Sequence, residues 1–238
     1  VPLQEVGGVR DVVFNPLAEV VFAHHNDPRE FRRNLEALGY PEAAKVIDRR
    51  PRDPNVRKGN LGEILASEYL RQCAHYQIPV YRLRYSIQDS PMPGEDILAF
   101  RFGAPDGSGR ELLVGESKVR DRYASDVVIE AHNQLVNYEH RPRPKSFLLI
   151  VHALHEQGQD EEADRVLRFL DKFAPHQPTR CNLIFLVTGN EPRDPFGCIH
   201  VLGSGNVIEN LTAVNVHISD LGNFANALFD YEVTIDGA

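Results

Sequence analysis

Three charged residues near the middle of the chain have the types and spacing of a metal-assisted hydrolytic site. Glu116 and Lys118, in the stretch "VGESKV", are two residues apart, so on a strand they share one face while Ser117 points to the other. Asp96, in "PGEDILAFRF", opens an apolar run that is typical of a buried strand. A hairpin between residues 96 and 118 would bring Asp96 alongside Glu116. A carboxylate in that position is costly unless a cation or several donors meet it.

This group predicts a site for a hard divalent cation. The carboxylates of Asp96 and Glu116 and the backbone carbonyl of Ser117 would form an oxygen-rich pocket, which suits Mg²⁺. Lys118 could position a water molecule or neutralise charge on a phosphate. The same spacing also occurs in solvated ion pairs on outer strand faces, so both interpretations stay open. Glu95 is a rival ligand, although strand alternation would direct it to the face opposite Asp96.

Two predicted helices contribute further candidates. Glu63 lies early in the broadly apolar helix "NLGEILASEYLRQC" and has no base close by on that helix. Gln134 and Tyr138 lie four residues apart in the helix "SDVVIEAHNQLVNYE", so both project from one of its faces. These helices flank the predicted hairpin in the chain, and we expect them to pack beside it.

The hydrophobic pattern as a whole predicts an α/β chain with a mixed β-sheet flanked by helices. We place an N-terminal extension, a strand plus a helix packed on the core, at residues 1–55 and the main domain at residues 56–238. Besides the two helices above, the pattern predicts helices in "DPREFRRNLEALG", "DEEADRVLRFLDKF" and "SDLGNFANALFDY". It predicts strands or extended structure in "DVVFNPLAEVVFAHH", "IPVYRLRYSI", "DILAF", "ELLVGESKV", "SFLLIVHAL", "CNLIFLVTG", "CIHVLG" and "LTAVNVHI".

Composition limits the classes of function. The net charge of −8 argues against a protein that grips nucleic acid over its whole surface. No apolar run approaches the roughly 20 residues that span a bilayer, and the first residues lack the pattern of a secretion signal. Three cysteines without metal-type spacing indicate reduced thiols and a cytoplasmic protein. The pairs His24–His25 and His152–His155 have no acidic or thiol ligand at zinc spacing.

The acidic helix, the D…ExK hairpin and the QxxxY helix together resemble the PD-(D/E)xK nuclease superfamily, in its RecB-like branch. "PGED" supplies the aspartate, "GESK" the ExK and "QLVNY" the last motif, although Gly-Glu-Asp stands where Pro-Asp is expected. "GNLGEILASEYL", "PGEDIL", "GESK" and "VNVHISDLGNFANALFD" also resemble the HamA family, the nuclease subunits of Hachiman anti-phage systems, which are related to AbpA-type defence proteins.

This resemblance implies a restriction-endonuclease-like fold and a DNase that depends on Mg²⁺ or Mn²⁺. In this family, Asp96 and Glu116 would hold the metal ion, with Glu63 assisting. Lys118 would position water. The remaining motif residues, Gln134 and Tyr138, would brace the site or contact DNA. The chain has no ATPase motif, so the resemblance implies a separate helicase partner of the HamB type.

Two other functions fit the same residues. The first is an inactive nuclease-fold subunit that docks a helicase or recognises DNA ends. The second is a stand-alone repair or restriction nuclease with sequence preference.

Overall fold

The computed structural model describes residues 2–4, 8–39, 43–90, 94–104, 106–137, 143–174, 176–200 and 208–233. Its strands are β1 (Pro2–Gln4), β2 (Ile97–Arg101), β3 (Glu111–Arg120), β4 (Thr179–Thr188) and β5 (Leu211–His217). Within the described residues they form one sheet in the order β1-β5-β4-β3-β2. Strands β2 and β3 are antiparallel, and the other neighbours are parallel. The mixed sheet is confirmed, and its arrangement is compatible with the restriction-endonuclease-like fold.

Helices cover both faces of this sheet. They are α1 (Arg10–His25), α2 (Pro28–Leu38), α3 (Ala43–Ile47), α4 (Pro54–Gln72), α5 (Ser125–Asn137), α6 (Pro144–Glu156), α7 (Asp160–Leu167), α8 (Gly197–His200) and α9 (Leu221–Asp230), with a 3₁₀ turn at Arg82–Tyr85. One face packs against α1, α4 and α9, and the other packs against α5, α6 and α7. Among the described helices, none combines the length and apolarity needed to cross a membrane.

The hairpin that carries the candidate residues forms as predicted. Its loop contains Gly103, Gly107 and Gly109, all with positive φ, a conformation that glycine adopts without steric cost. Strands β2 and β3 pair in a register that sets Ile97 opposite Gly115. Continuing this register by one residue sets Asp96 opposite Glu116, as the hairpin prediction required.

Helix α4 lies unusually close to β3. Asp53 caps its first turn by accepting hydrogen bonds from the N–H groups of Asn55 and Val56. At Gly62, a Cβ atom would lie 2.5 Å from Cγ2 of Val119 and 2.6 Å from Oγ of Ser117. The missing side chain therefore permits this approach, which brings the next residue, Glu63, to the start of the hairpin.

Four of the predicted strands are wrong. The run "DVVFNPLAEVVFAHH" is helix α1, which buries Ala18, Val21 and His25 at helical spacing. The run "SFLLIVHAL" lies in helix α6, where Phe147 and Ile150 are buried while Leu148 is 60% exposed. A short apolar run alone does not separate a buried strand from a helix.

The other two predicted strands also fail. "IPVYRLRYSI" pairs with no strand among the described residues and contains the 3₁₀ turn; an isolated bridge joins Gln77, directly before this run, to Phe100. In "CIHVLG", residues 198–200 belong to helix α8, and residues 201–203 lie outside the described residues.

The N-terminal region joins the main sheet rather than forming a separate layer. Residues Pro2–Gln4 pair in parallel with Asn215–His217 of β5, and the buried residues of α1 share a cluster with α4 and α9. In place of the predicted strand plus helix, the described part of residues 1–55 contains β1 and helices α1, α2 and α3. The division at residue 55 stays a prediction.

Candidate active site

Asp96 lies at the edge of the sheet, directly before β2 begins. One of its carboxylate oxygens, Oδ2, accepts a hydrogen bond of 2.8 Å from the backbone N–H of Ser117. This contact fixes the carboxylate against the middle of β3. The Asp96 side chain is therefore hydrogen-bonded to a backbone donor. Two further carboxylates, those of Glu116 and Glu63, lie close enough for the charge of Asp96 to affect them.

Glu116 and Lys118 lie on the face of β3 that carries Leu112 and Val114, as their spacing predicted. Glu116 is only 2% exposed, and its Oε1 is buried without a hydrogen bond to any residue that the structure describes. Lys118 Nζ is 3.9 Å from Glu116 Oε2 and donates a 3.0 Å hydrogen bond to Oε1 of Glu130 on α5. The lysine therefore bridges the buried acid and an exposed one.

Glu63 approaches Asp96 from helix α4. Its Oε2 is buried and lies 3.9 Å from Nε of Arg82, in the 3₁₀ turn, beyond hydrogen-bond distance. The base that lies near Glu63 is Arg82, which belongs to another segment and not to helix α4. Arg82 was missed, since its segment was predicted to be a strand.

Burial raises the pKa of all three carboxylates. Burial raises the pKa of Glu63 to about 8, and the charge of Asp96 adds to the rise. Burial likewise raises the pKa of Glu116 to about 9, again with Asp96 contributing. The pKa of Asp96 is also raised by burial, against the opposing effect of the Ser117 hydrogen bond. A bound cation would favour the ionised forms of these buried acids and would offset the repulsion that Asp96 exerts on Glu63 and Glu116.

The donor chemistry fits a small hard cation that takes only part of its ligands from the protein. Among the described residues, no group of three or more His, Cys, Asp or Glu side chains could hold a metal ion by itself. Mg²⁺ commonly takes one or two carboxylates and keeps several waters or substrate oxygens. Asp96 and Glu116 would supply two such groups. As metal ligands, these two residues, the Ser117 carbonyl and Glu63 all stay predictions.

Glu95 has a different partner from Asp96. Its side chain is 1% exposed; Oε1 accepts a hydrogen bond from the backbone N–H of Arg143, and Oε2 accepts one from the Ser146 hydroxyl, both at the start of α6. A carboxylate at a helix N-terminus also meets the positive end of the helix dipole. Both oxygens of the rival ligand are therefore engaged with α6.

The second helix motif is only partly described. Gln134 lies on α5, one turn after Glu130, and its Oε1 is buried without a hydrogen bond to a described residue. An unpaired buried amide oxygen there is available to a further group. Tyr138 lies outside the described residues, so its predicted position beside Gln134 stays a prediction.

Both histidine pairs have partners in the protein. His24 hydrogen-bonds to Glu68, and His25 lies between the Val21 carbonyl and the Asn60 amide. His152 lies 3.3 Å from Glu156 and His155 lies 2.6 Å from Asp160. The three cysteines are free thiols.

Comparison with known proteins agrees with the resemblance of the motifs. A model of the HamA family matches residues 9–230 of this chain. The Hachiman protein HamA of Bacillus cereus is 31% identical over 204 residues, which cover 85% of this chain and 70% of the relative. The match includes every candidate residue, from Glu63 to Tyr138. The chain therefore belongs to the HamA family.

Proposed function

We propose that this chain is the DNA-cleaving subunit of a Hachiman anti-phage system and that cleavage depends on Mg²⁺ or Mn²⁺. The family match supports the Hachiman assignment. The chemistry rests on one observation: Asp96 and Glu116 lie opposite each other at the start of the hairpin, and Lys118 follows two residues further along β3. Phosphodiester hydrolysis needs a charge-stabilising centre and a positioned water, and these residue types can provide both.

Each residue has a distinct role in this proposal. Asp96 and Glu116 hold the cation, and the Ser117 N–H keeps the Asp96 carboxylate oriented. A divalent cation bound there would polarise the scissile phosphate and lower the pKa of the attacking water. Lys118 holds that water or neutralises charge on the phosphate. Glu63 orients the site from the α4 side.

A helicase partner is part of the proposal, because this chain is poorly suited to capture duplex DNA alone. DNA affinity depends on counterion release by Lys and Arg side chains, and the net charge of −8 weakens it. Residues 188–238 carry seven acids and one base. We assign this acidic segment as a docking surface for a basic patch on the helicase, so association should weaken with salt.

One observation favours the alternative of an inactive docking subunit. Lys118 is closer to Glu130 than to Glu116, at 3.0 Å against 3.9 Å. A lysine held by an exposed glutamate is also what a solvated ion pair would contain. In an active site, the substrate phosphate would have to compete with Glu130 for this ammonium group.

The test is a plasmid-cleavage assay on the purified chain, alone and with a HamB-type helicase. The assay is run with Mg²⁺, with Mn²⁺ and with EDTA, across a salt series. We expect cleavage that requires the divalent cation and is strongest with the helicase at low salt. No cleavage under any condition would favour the docking subunit. Fast cleavage of intact duplex by the chain alone at physiological salt would refute helicase gating, and sequence-defined products would favour a stand-alone restriction nuclease.

A further inference from the structure

A cavity of about 580 Å³ opens beside Asp96. It lies between α4 and the 3₁₀ turn on one side and the first half of α6 on the other. Its volume is within the roughly 300–1,000 Å³ of small-ligand sites. Most of its wall is aliphatic, with contributions from Ile78, Val80, Leu83, Leu98, Leu149 and Ile150.

Both acidic and basic residues line this cavity. Glu63 and Asp96 line it, so it adjoins the candidate cation site. Arg82, Arg143 and Lys145 line it as well, and the last two are exposed to solvent. An apolar wall suits a flat ring, and the arginines and lysine suit phosphate oxygens. A nucleotide combines these two features in one ligand.

We propose that this cavity receives one unpaired nucleotide of the DNA strand, next to the phosphate that is cleaved, so that the substrate is single-stranded or locally unpaired DNA. The proposal rests on the proposed nuclease function. A base inside a duplex is paired and stacked and cannot enter this cavity without leaving the stack. A base in a single strand has no pairing to lose, so the cavity selects for unpaired DNA.

The buried carboxylate of Glu95 connects this cavity to the cation site. By binding the Arg143 N–H and the Ser146 hydroxyl, it fixes the start of α6 relative to the adjacent Asp96. The cavity wall on α6 would contact the base, and the Asp96 carboxylate would hold the cation beside the phosphate. The Glu95 hydrogen bonds therefore fix these two parts relative to each other. Glu95 is in this sense a positioning residue.

The first test uses the unmodified protein and varies the ligand. Fluorescence anisotropy measures the Kd of a labelled single strand, of a duplex with the same sequence, and of a strand whose bases are replaced by abasic sites. Measurements in EDTA prevent cleavage and keep the charge of the site equal for all ligands. We expect the duplex and the abasic strand to bind at least about tenfold more weakly than the single strand, because neither can bury a base against the apolar wall. Equal affinities, or no measurable binding of the single strand, overturn the proposal.

Two variants then narrow the cavity from opposite sides. Leu149→Trp and Ile78→Trp should each weaken single-strand binding about tenfold or more. Leu148→Trp is the matched control, because Leu148 is on the same helix, is 60% exposed and does not line the cavity; it should bind within about twofold of wild type. Circular dichroism verifies that each variant is folded. Wild-type affinity in a folded Leu149→Trp variant contradicts the proposal.

These measurements separate the cavity from the nuclease assignment and from a site for free nucleotides. Base-dependent binding without any cleavage in Mg²⁺ would leave the cavity proposal standing and reject the nuclease. Cleavage of single strands and duplexes at equal rates, with no change in the Leu149→Trp variant, would reject the cavity proposal and leave the nuclease assignment standing. A free deoxynucleoside monophosphate that binds as tightly as the strand would identify a free-nucleotide site and overturn the proposal.

Discussion

Replacing Gly62 by alanine should destabilise the protein and disturb the candidate site together. The new Cβ atom would lie 2.5 Å from Cγ2 of Val119 and 2.6 Å from Oγ of Ser117, well inside van der Waals contact. Either these two side chains change rotamer or helix α4 and strand β3 move apart. Because Glu63 follows directly on α4 and Asp96 accepts a hydrogen bond from the Ser117 N–H, a shift of α4 away from β3 also separates two of the three carboxylates.

A second glycine in helix α4, Gly59, serves as the control and lets the stability change at Gly62 be estimated. Alanine gains about 1 kcal/mol of helix propensity over glycine at an interior position, and at Gly59 no atom lies within 4 Å of the added Cβ. We therefore expect Gly59→Ala to stabilise the chain by up to about 1 kcal/mol. Gly62→Ala gains the same propensity and loses about 1–3 kcal/mol to overpacking. The two variants should differ by about 1–3 kcal/mol, and that difference isolates the contact with β3.

The assay is urea denaturation of both variants, followed by plasmid cleavage with Mg²⁺. Each kcal/mol corresponds to about 2–4 °C in Tm for a chain of this size, so thermal melts also resolve the difference. Gly59→Ala should cleave like wild type, whereas Gly62→Ala should cleave more slowly. If Gly62→Ala is as stable as Gly59→Ala, the close packing of α4 on β3 is refuted.

Three further predictions concern the charged residues. Lys118→Ala should reduce the cleavage rate by about 10²–10³-fold, while the circular dichroism spectrum and the Mg²⁺ affinity stay unchanged. Lys172→Ala, at an exposed position, is the control. A Lys118→Ala variant with the wild-type cleavage rate would show that this lysine takes no part in the reaction. In calorimetry, Asp96→Asn and Glu116→Gln should each weaken Mg²⁺ binding, whereas Glu95→Gln should lower Tm and leave Mg²⁺ affinity nearly intact; a dominant effect of Glu95 would reverse the ligand assignment. Without a divalent cation, Tm should fall as pH rises from about 7 to 9, because Glu63 and Glu116 have higher pKa values in the folded chain than the ordinary 4.5. Their contribution is complete below about pH 4.5 and is lost as pH rises through about 8 to 9. This window lies above the range in which His24 and His25, whose pKa values burial lowers, add stability with rising pH, and a Tm that rises within it in EDTA would contradict the prediction.

Much of the central fold could be predicted from the sequence. The runs of β4 and β5 form strands and the glycine-rich loop closes the hairpin, as the sequence predicted. Helix α2 is another such case, with Asp27 as its N-cap, Pro28 in its first turn and Gly39 at its end. The site residues on β3 also followed from spacing, because side chains on a strand alternate between faces.

The partners of the site residues could not be predicted in the same way. Glu95 binds the start of α6, Glu63 faces Arg82 and Lys118 reaches Glu130, and each of these contacts joins segments distant in the chain. The two glycines inside α4 did not reveal the close packing on β3 either, because Gly62 contacts β3 whereas Gly59 has no atom within 4 Å of an added Cβ. Such contacts are set by how helices lie on the sheet, which spacing within one segment does not encode.

The sequence by itself determined which residue types could bind a cation and that the hairpin would bring Asp96 to Glu116. Tertiary structure decided that Glu95 supports α6, that a cavity adjoins Asp96, and that the runs at residues 11–25 and 146–154 are helices. The physical reason is that local apolar content measures how much surface a segment must bury. Whether it does so as a strand or a helix depends on the partner surface, which forms only when the whole chain has folded.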